Sequence, residues 1–174
     1  MSETVYIGLG SNLGDREQNL TAALQSLSRI DAVAVTGCSS LYDSAPVGPP
    51  QPRYLNAVVS LDCGLSPQRL LCILKQIETD LGRQKGPRWA ARPIDLDLLL
   101  WDGRVIADPN LQVPHLDLHR RRFALEPLCE LAPSAEHPVM KVLLRQLLVQ
   151  LEPQDVIRYP STQWPEERSE RSAG

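Results

Sequence analysis

The chain has 174 residues, 43% of them hydrophobic and 22% charged, the balance of one globular domain; a second core would leave each half marginal. Its formal net charge of −3 argues against a dedicated nucleic-acid binder, which carries a basic field, so any anionic ligand needs a local cluster of cations. The N-terminus lacks a basic start and an apolar run, and no stretch reaches membrane-spanning length, so a cytoplasmic protein with no membrane partner is expected.

In chain order, Val5 to Leu9 is short, apolar and bounded by Gly8 and Gly10, which predicts a first strand. Gly8-Leu-Gly10-Ser-Asn-Leu-Gly14 after it lacks the spacing of a dinucleotide fingerprint and the ending of a P-loop, and reads as a tight turn that brings Asn12 to the strand end. From Asp15 to Ile30, Leu20, Ala23, Leu24, Leu27 and Ile30 fall at helical spacing. Val33 to Tyr42 predicts a second strand, a Pro-rich loop runs from Ser44 to Pro52, and Tyr54 to Leu61 is a third strand. Ser66 and Pro67 start a second helix, with Leu70, Leu71, Leu74, Ile77 and Leu81 as its stripe and Gly82 as its stop. Ile94 to Trp101 is a fourth strand, and Asp102-Gly103 predicts a hairpin turn into Arg104-Val-Ile. Two helices are expected around Arg121 to Leu131 and Met140 to Leu151, and residues 161–174 read as a disordered polar tail after a single domain over residues 1–160. The order strand-helix-strand-strand-helix-strand is the split βαβ pattern of a ferredoxin-like α+β sandwich, a mainly antiparallel sheet with added C-terminal helices and a hairpin. Cys38, Cys63, Cys72 and Cys129 are widely spaced with no C-x-x-C pair and are expected to be buried free thiols.

The chemistry concentrates in Arg83 to Asp97. On a strand, Asp95 and Asp97 project from one face while Ile94, Leu96 and Leu98 point into a core. Two ionised carboxylates so close repel, and a hard cation between them relieves this; magnesium prefers a few carboxylates plus phosphate oxygens. The alternative is an exposed strand face with two solvated acids. The preceding loop weighs against that, because Arg83, Lys85, Arg88 and Arg92 put four cations and no acid beside the pair. A metal on one side and guanidinium groups on the other suit a polyphosphate. Gly86 and Pro87 fit a loop that closes over it. His115 suits a phosphate donor and His119 the surface, whereas Arg120-Arg121-Arg122 is either a solvated face or a second anion contact.

Together these pieces resemble the 6-hydroxymethyl-7,8-dihydropterin pyrophosphokinase family of folate biosynthesis. The matching stretches are Gly10-Ser-Asn-Leu, Ser44-Ala-Pro-Val-Gly-Pro, Tyr54-Leu-Asn-Ala, Ile77-Glu78 with Gly82-Arg83, Arg88-Trp89 with Arg92, Asp95-Leu-Asp97, Val113-Pro-His115, and Arg121 with Phe123. The resemblance implies attack of the pterin hydroxymethyl oxygen on the β-phosphorus of ATP, with AMP leaving and two Mg2+ ions on Asp95 and Asp97. It implies that Arg83 and Arg92 act on the transferring group. Lys75, Glu78, Lys85, Arg88, Trp89, Leu98, His115 and Arg121 are implied on the nucleotide side. The pterin is implied between the rings of Tyr54 and Phe123, with Asn56 on its polar edge and Asn12, Ser44, Ala45 and Val47 around it. Ala45 and Ala91 stand where the family usually has proline, Leu116 where an aromatic residue is common, and Lys85 where some members have arginine. A monomer is expected. An RNA-binding ferredoxin-like module, a simple ADP-forming kinase and a non-catalytic interaction domain are the rival readings, the first disfavoured by the acidic balance and the few aromatic residues.

Overall fold

The computed structural model of the protein describes residues 2–88 and 90–165. Strand β1 (Glu3–Ser11) is central and pairs antiparallel with β4 (Tyr54–Cys63) on one side and β5 (Asp95–Trp101) on the other. β2 (Val33–Cys38) and β3 (Leu41–Ser44) both pair antiparallel with β4, at its end and its beginning respectively. Helices α1 (Arg16–Ser28) and α2 (Pro67–Asp80) connect β1 to β2 and β4 to β5, which gives the expected split βαβ frame. The chain also carries a short hairpin, β6 (Ile106–Asp108) with β7 (Leu111–Val113), then α3 (Arg122–Leu131), α4 (Leu144–Gln150) and β8 (Val156–Tyr159).

Strand periodicity decides which face each helix pair covers. Val5, Ile7 and Leu9 of β1 and Leu55, Ala57, Val59 and Leu61 of β4 point to the face covered by Leu20, Ala23 and Leu27 of α1 and Leu70, Leu74 and Ile77 of α2. Burying each of the Val, Leu and Ile side chains stabilises the fold by roughly 1.5–3 kcal/mol, so this layer is the main core. α1 starts on Asp15, whose side chain accepts from Gln18 N–H, and α2 on Ser66, whose side chain accepts from Arg69 N–H. Gly82, at φ 100°, ends α2 in the left-handed region that glycine occupies without a Cβ penalty. The opposite face is covered only in part: Leu125 and Leu128 of α3 and Leu144 and Leu147 of α4 pack on Val58 and Leu100. The remainder, over Gly8 and Gly10, stays open.

Several expectations are corrected. β1 runs unbroken through Gly8 and Gly10 to Ser11, so those glycines lie in the strand and the turn falls later, at Gly14 (φ 73°). The single strand expected over Val33 to Tyr42 is interrupted at Ser39, whose hydroxyl accepts from Val58 N–H (2.9 Å) in place of a backbone carbonyl. Asp102 and Gly103 do turn the chain, with Arg104 N–H bonded to Trp101 O at 2.9 Å, but Ile106–Asp108 pairs forward with Leu111–Val113 and not back onto β5. α4 is shorter than expected because Lys141 takes φ 59° and the His137 ring accepts the N–H groups of Val139 and Met140, which breaks any helix begun at Met140. Cys38 and Cys63 are buried free thiols, whereas Cys72 is exposed and Cys129 intermediate. The expected tail departs from expectation at its start: Trp164 is 6% exposed in the main core, its indole N–H bonded to Ser39 O at 2.8 Å. Residues 166–174 of that tail lie outside the described residues.

Candidate functional site

The open part of the second sheet face is the floor of a cavity of about 1190 Å³, above the roughly 300–1,000 Å³ of a site for one drug-sized ligand. Register places the floor residues in rows. Asp95, Gly10, Asn56 and Tyr42 are successive partners across β5, β1, β4 and β3, and Asp97, Gly8 and Val58 form the next row. At about 4.8 Å per strand, Asp95 and Asn56 stand roughly 10 Å apart across a glycine. A Cβ on Gly10 would sit 3.5 Å from the Tyr54 ring and 3.6 Å from Asn56 Oδ1, inside the gap between them. A Cβ on Gly8 would stand 3.3 Å from Leu99 Cδ1. Glycine at both positions keeps the floor flat.

The carboxylate wall is tightly organised. Asp95 Oδ1 accepts from Arg83 Nη1 at 3.1 Å and from Arg92 Nη1 at 3.5 Å. Arg83 is in turn held by Glu78, whose Oε2 also takes Leu96 N–H at 3.0 Å. α2 therefore projects a buried carboxylate to the outer edge of β5, where it satisfies a strand N–H and aims a guanidinium at Asp95. Burial raises the Glu78 carboxyl, against the opposing pull of Leu96 N–H and Arg83. Burial, reinforced by the Asp95 charge, pushes the Asp97 carboxyl up to about 7. Such a carboxylate welcomes a cation. Among the described residues no set of three or more His, Cys, Asp and Glu side chains is grouped to hold a metal. The donor set thus fits a hard cation that completes its shell with water and phosphate oxygens, and does not fit a closed all-protein cage.

On the other side, the Asn56 amide donates to Ser44 Oγ (2.8 Å) and Tyr42 O (3.1 Å), which leaves its carbonyl oxygen toward the cavity as an acceptor. Phe123 enters from α3, with the Arg121 guanidinium 5.6 Å from its ring centroid. Arg121 also pairs with Asp117 at 3.2 Å. The His115 ring nitrogen Nδ1 accepts Asp117 N–H at 3.1 Å, so the neutral ring carries its proton on Nε2 as a donor. Burial first, and the Arg121 charge second, lower the His115 pKa and keep it neutral.

The cavity brings together nearly every residue singled out from the sequence. Arg83, Lys85, Arg88, Arg92, Asp95 and Asp97 share it with Lys75, Glu78, Leu98, His115 and Arg121, and with Ser44, Ala45, Val47, Tyr54, Asn56 and Phe123. Leu98 contributes to the wall while packing in the main core, as strand alternation requires. Asn12 is the correction: it is 1% exposed and does not line the cavity. Its amide donates to Gln51 Oε1 (2.8 Å) and Pro52 O (3.1 Å) and accepts Arg92 N–H (2.7 Å), so it ties the Pro-rich loop to the basic loop. Trp89 lies outside the described residues. The basic triplet divides three ways: Arg121 lines the cavity, Arg120 Nε donates to His119, and Arg122 donates to the α4-end carbonyls of Leu148 and Leu151. His115 and His119 do not share a helix, since only Leu118–Arg120 is helical there, as one 3-10 turn. Sequence reasoning missed Gly8, Gly10 and the Asn110–Gln112 tip of the β6–β7 hairpin, which also line the cavity. Glycines two apart in a strand were the available signal, since they clear one face.

Comparison with known proteins points to one family. The family model for 7,8-dihydro-6-hydroxymethylpterin-pyrophosphokinase matches residues 6–133. The 2-amino-4-hydroxy-6-hydroxymethyldihydropteridine pyrophosphokinase of Haemophilus influenzae is 40% identical over 141 residues, 80% of this chain and 88% of that protein. The Bacillus subtilis protein of the same name is 42% identical over 137 residues, 78% of this chain and 82% of that one. The mitochondrial folate synthesis bifunctional protein of Arabidopsis thaliana is 45% identical over 132 residues, which are 75% of this chain and 24% of the plant protein. Among solved structures, the wild-type Plasmodium falciparum HPPK-DHPS chain crystallised with STZ-DHP superposes with a TM-score of 0.70 at 13% identity, over 86% of this chain and 43% of that one. The likeness to that longer chain is one of fold.

Proposed function

The chain belongs to the 7,8-dihydro-6-hydroxymethylpterin-pyrophosphokinase family, and on that membership we propose how its residues divide the work. The reaction transfers pyrophosphate from ATP to the hydroxymethyl group of 6-hydroxymethyl-7,8-dihydropterin in folate synthesis. The hydroxymethyl oxygen bonds to the β-phosphorus, the bond from that phosphorus to the α–β bridging oxygen breaks, and AMP leaves. The carrying observation is the row Asp95–Gly10–Asn56, which sets a carboxylate and an amide about 10 Å apart over a bare glycine. A flat bicycle laid on Gly10 beside Tyr54 directs its polar edge to Asn56 and its hydroxymethyl arm toward the carboxylates. Phe123 closes the opposite face of the slot. Asn56 Oδ1, its amide nitrogen already committed to Ser44 and Tyr42, accepts from ring N–H groups.

Asp95 and Asp97 are the groups to hold two Mg2+ ions, which when bound neutralise and orient the polyphosphate. Arg83 and Arg92 already reach Asp95, within range of a phosphoryl group beside it. Lys85, Arg88, Arg121 and the Nε2–H of His115 are the remaining cationic and donor groups for the phosphates. Lys75, Leu98 and the hairpin tip face the end left for the nucleoside. Trp89 is assigned to the nucleotide by the family resemblance alone. Asn12 acts from behind by holding the two loops together. One chain supplies every wall described, which supports a monomer, and the composition supports work in the cytoplasm; among the described residues no helix is long and apolar enough to cross a membrane.

Incubation with ATP, Mg2+ and the pterin tests the reading. AMP forming with pterin consumption is the expected result, and ADP as the nucleotide product would sink it. Omission of Mg2+ or addition of a chelator abolishes turnover if the carboxylates are metal ligands.

A further inference from the structure

Asn12 anchors Gln51 and Pro52, but the residues named so far leave the two ends of the pterin-side wall without a hold. That wall consists of the end of β3, the loop 45–53 and the start of β4, and the loop is too rich in proline to be bound by backbone pairing of its own. Its two ends converge on one residue from the C-terminal part of the chain. Asp155 O accepts Ala45 N–H at 3.0 Å, fixing the first residue of the loop. The Asp155 carboxylate takes both terminal nitrogens of Arg53, Oδ2 at 2.6 Å and Oδ1 at 2.9 Å, fixing the last. Arg53 Nε meanwhile donates to Asp43 Oδ1, and Arg16 Nη1 reaches both Asp43 Oδ2 (3.0 Å) and Arg53 O (3.1 Å). Asp43 immediately precedes Ser44, and Arg53 immediately precedes Tyr54, which is itself the strand partner of Ser44.

We propose that Asp155, through Arg53 and Asp43, is a positioning residue for the pterin-binding wall, so that the chain just before β8 helps to build the substrate site. An isolated exposed ion pair contributes little, but this one is bidentate, and it belongs to a network whose other carboxylate, Asp43, is only 13% exposed. The fork sets the Arg53 backbone, and with it the direction in which Tyr54 leaves the loop. None of the four charged side chains lines the main cavity, so they act through their neighbours. The inference rests on the assignment of the Tyr54–Asn56 side of the cavity to the pterin.

Steady-state kinetics of the full chain separates the possibilities, with each substrate varied while the other is saturating. Asp155→Asn is expected to raise the KM for hydroxymethyldihydropterin about tenfold, equivalent to about 1.4 kcal/mol, while kcat and the KM for ATP stay within about twofold. Asp155→Glu, which keeps the charge, recovers part of the loss. Raising ionic strength at saturating ATP lifts the pterin KM of the wild type but not of Asp155→Asn, because the pterin is uncharged and the screened pair lies in the protein. An unchanged pterin KM in Asp155→Asn overturns the proposal. So does a joint rise of both KM values with a lowered melting temperature, which would mark a general structural role. Tyr54→Ala is the control: if it raises the pterin KM and Asp155→Asn does not, only the positioning role fails. If Tyr54→Ala leaves the pterin KM unmoved, the assignment of the wall fails and the inference falls with it.

Discussion

Asp97 is the residue most at odds with its surroundings, a half-buried acid on the strand face it shares with Asp95; desolvation and the Asp95 charge push the Asp97 carboxyl up to about 7. Its ionised form is tolerated poorly by the fold and well by a cation, the pattern of a group kept for function against stability. Asp97→Asn is therefore expected to lower the rate of AMP formation by at least about a hundredfold while raising the melting temperature at pH 8. A variant less stable than the wild type would show that the carboxylate serves the fold. Gly10 makes a second case. Gly10→Val suits strand geometry, yet it fills the gap between Tyr54 and Asn56, so the pterin KM should rise by at least about tenfold with cooperative unfolding retained. That Asp95 and Asp97 share one strand face was legible from alternation, while their reading as a metal pair needed the cationic loop beside them. Gly10 showed only as one of two glycines that clear a strand face, because its value lies in what stands beside it on β4 and β5, a matter of register that one strand's sequence does not contain.

At the scale of elements, α2 and β5 are joined by Glu78 as well as by apolar contact. Glu78→Gln leaves a side-chain oxygen for Leu96 N–H but loosens Arg83, so activity should fall about 10- to 100-fold with a small stability change. Glu78→Ala leaves the Leu96 N–H without its acceptor and should in addition cost about 1–3 kcal/mol in urea denaturation. Were both variants equally unstable, Glu78 would be only a packing residue. The link between α3 and α4 titrates instead. His137 is 4% exposed, accepts two backbone N–H groups on Nδ1, and has its pKa lowered by burial first and by His119 second. The unfolded chain takes up a proton near pH 6.5 that the folded ring refuses, so stability is intact above about 6.5 and falls as the pH drops below it. Urea midpoints at pH 7.5 and 5.5 should differ less in His137→Gln than in the wild type, while His115 contributes with the same sign in both. The helix stripes of α1 and α2 were plain in the sequence because each spans several turns. The interruption between β2 and β3 was hidden because a serine hydroxyl replaces one backbone acceptor, leaving apolar spacing almost unchanged.

The whole molecule is a split βαβ frame with a C-terminal addition, and the two were unequally legible. The frame follows from long periodic segments and two capped helices; in the addition the two helices were expected, but its last strand is four residues, Val156–Tyr159, whose β-branched and aromatic character marks a strand but whose partner lies more than a hundred positions back on β3. Polar composition after Ser161 concealed Trp164, a single large apolar side chain among hydrophilic neighbours. That side chain reaches the main core, and Ser161 bonds to Glu17 on α1 while accepting Trp164 N–H at 3.0 Å. β8 covers the sheet edge that β3 would otherwise leave open, and the anchor of the segment after it is separable into packing and hydrogen bonding. Trp164→Ala removes both and should cost about 3–5 kcal/mol in urea denaturation. Trp164→Phe keeps most of the buried ring but strands Ser39 O, and should cost about 1–3 kcal/mol. Since β8 begins next to Asp155, the Ala variant is further expected to raise the pterin KM more than the Phe variant does, with the KM for ATP steady. Equal pterin KM values in the two variants, despite unequal stabilities, would show that the anchor holds the sheet edge without reaching the site.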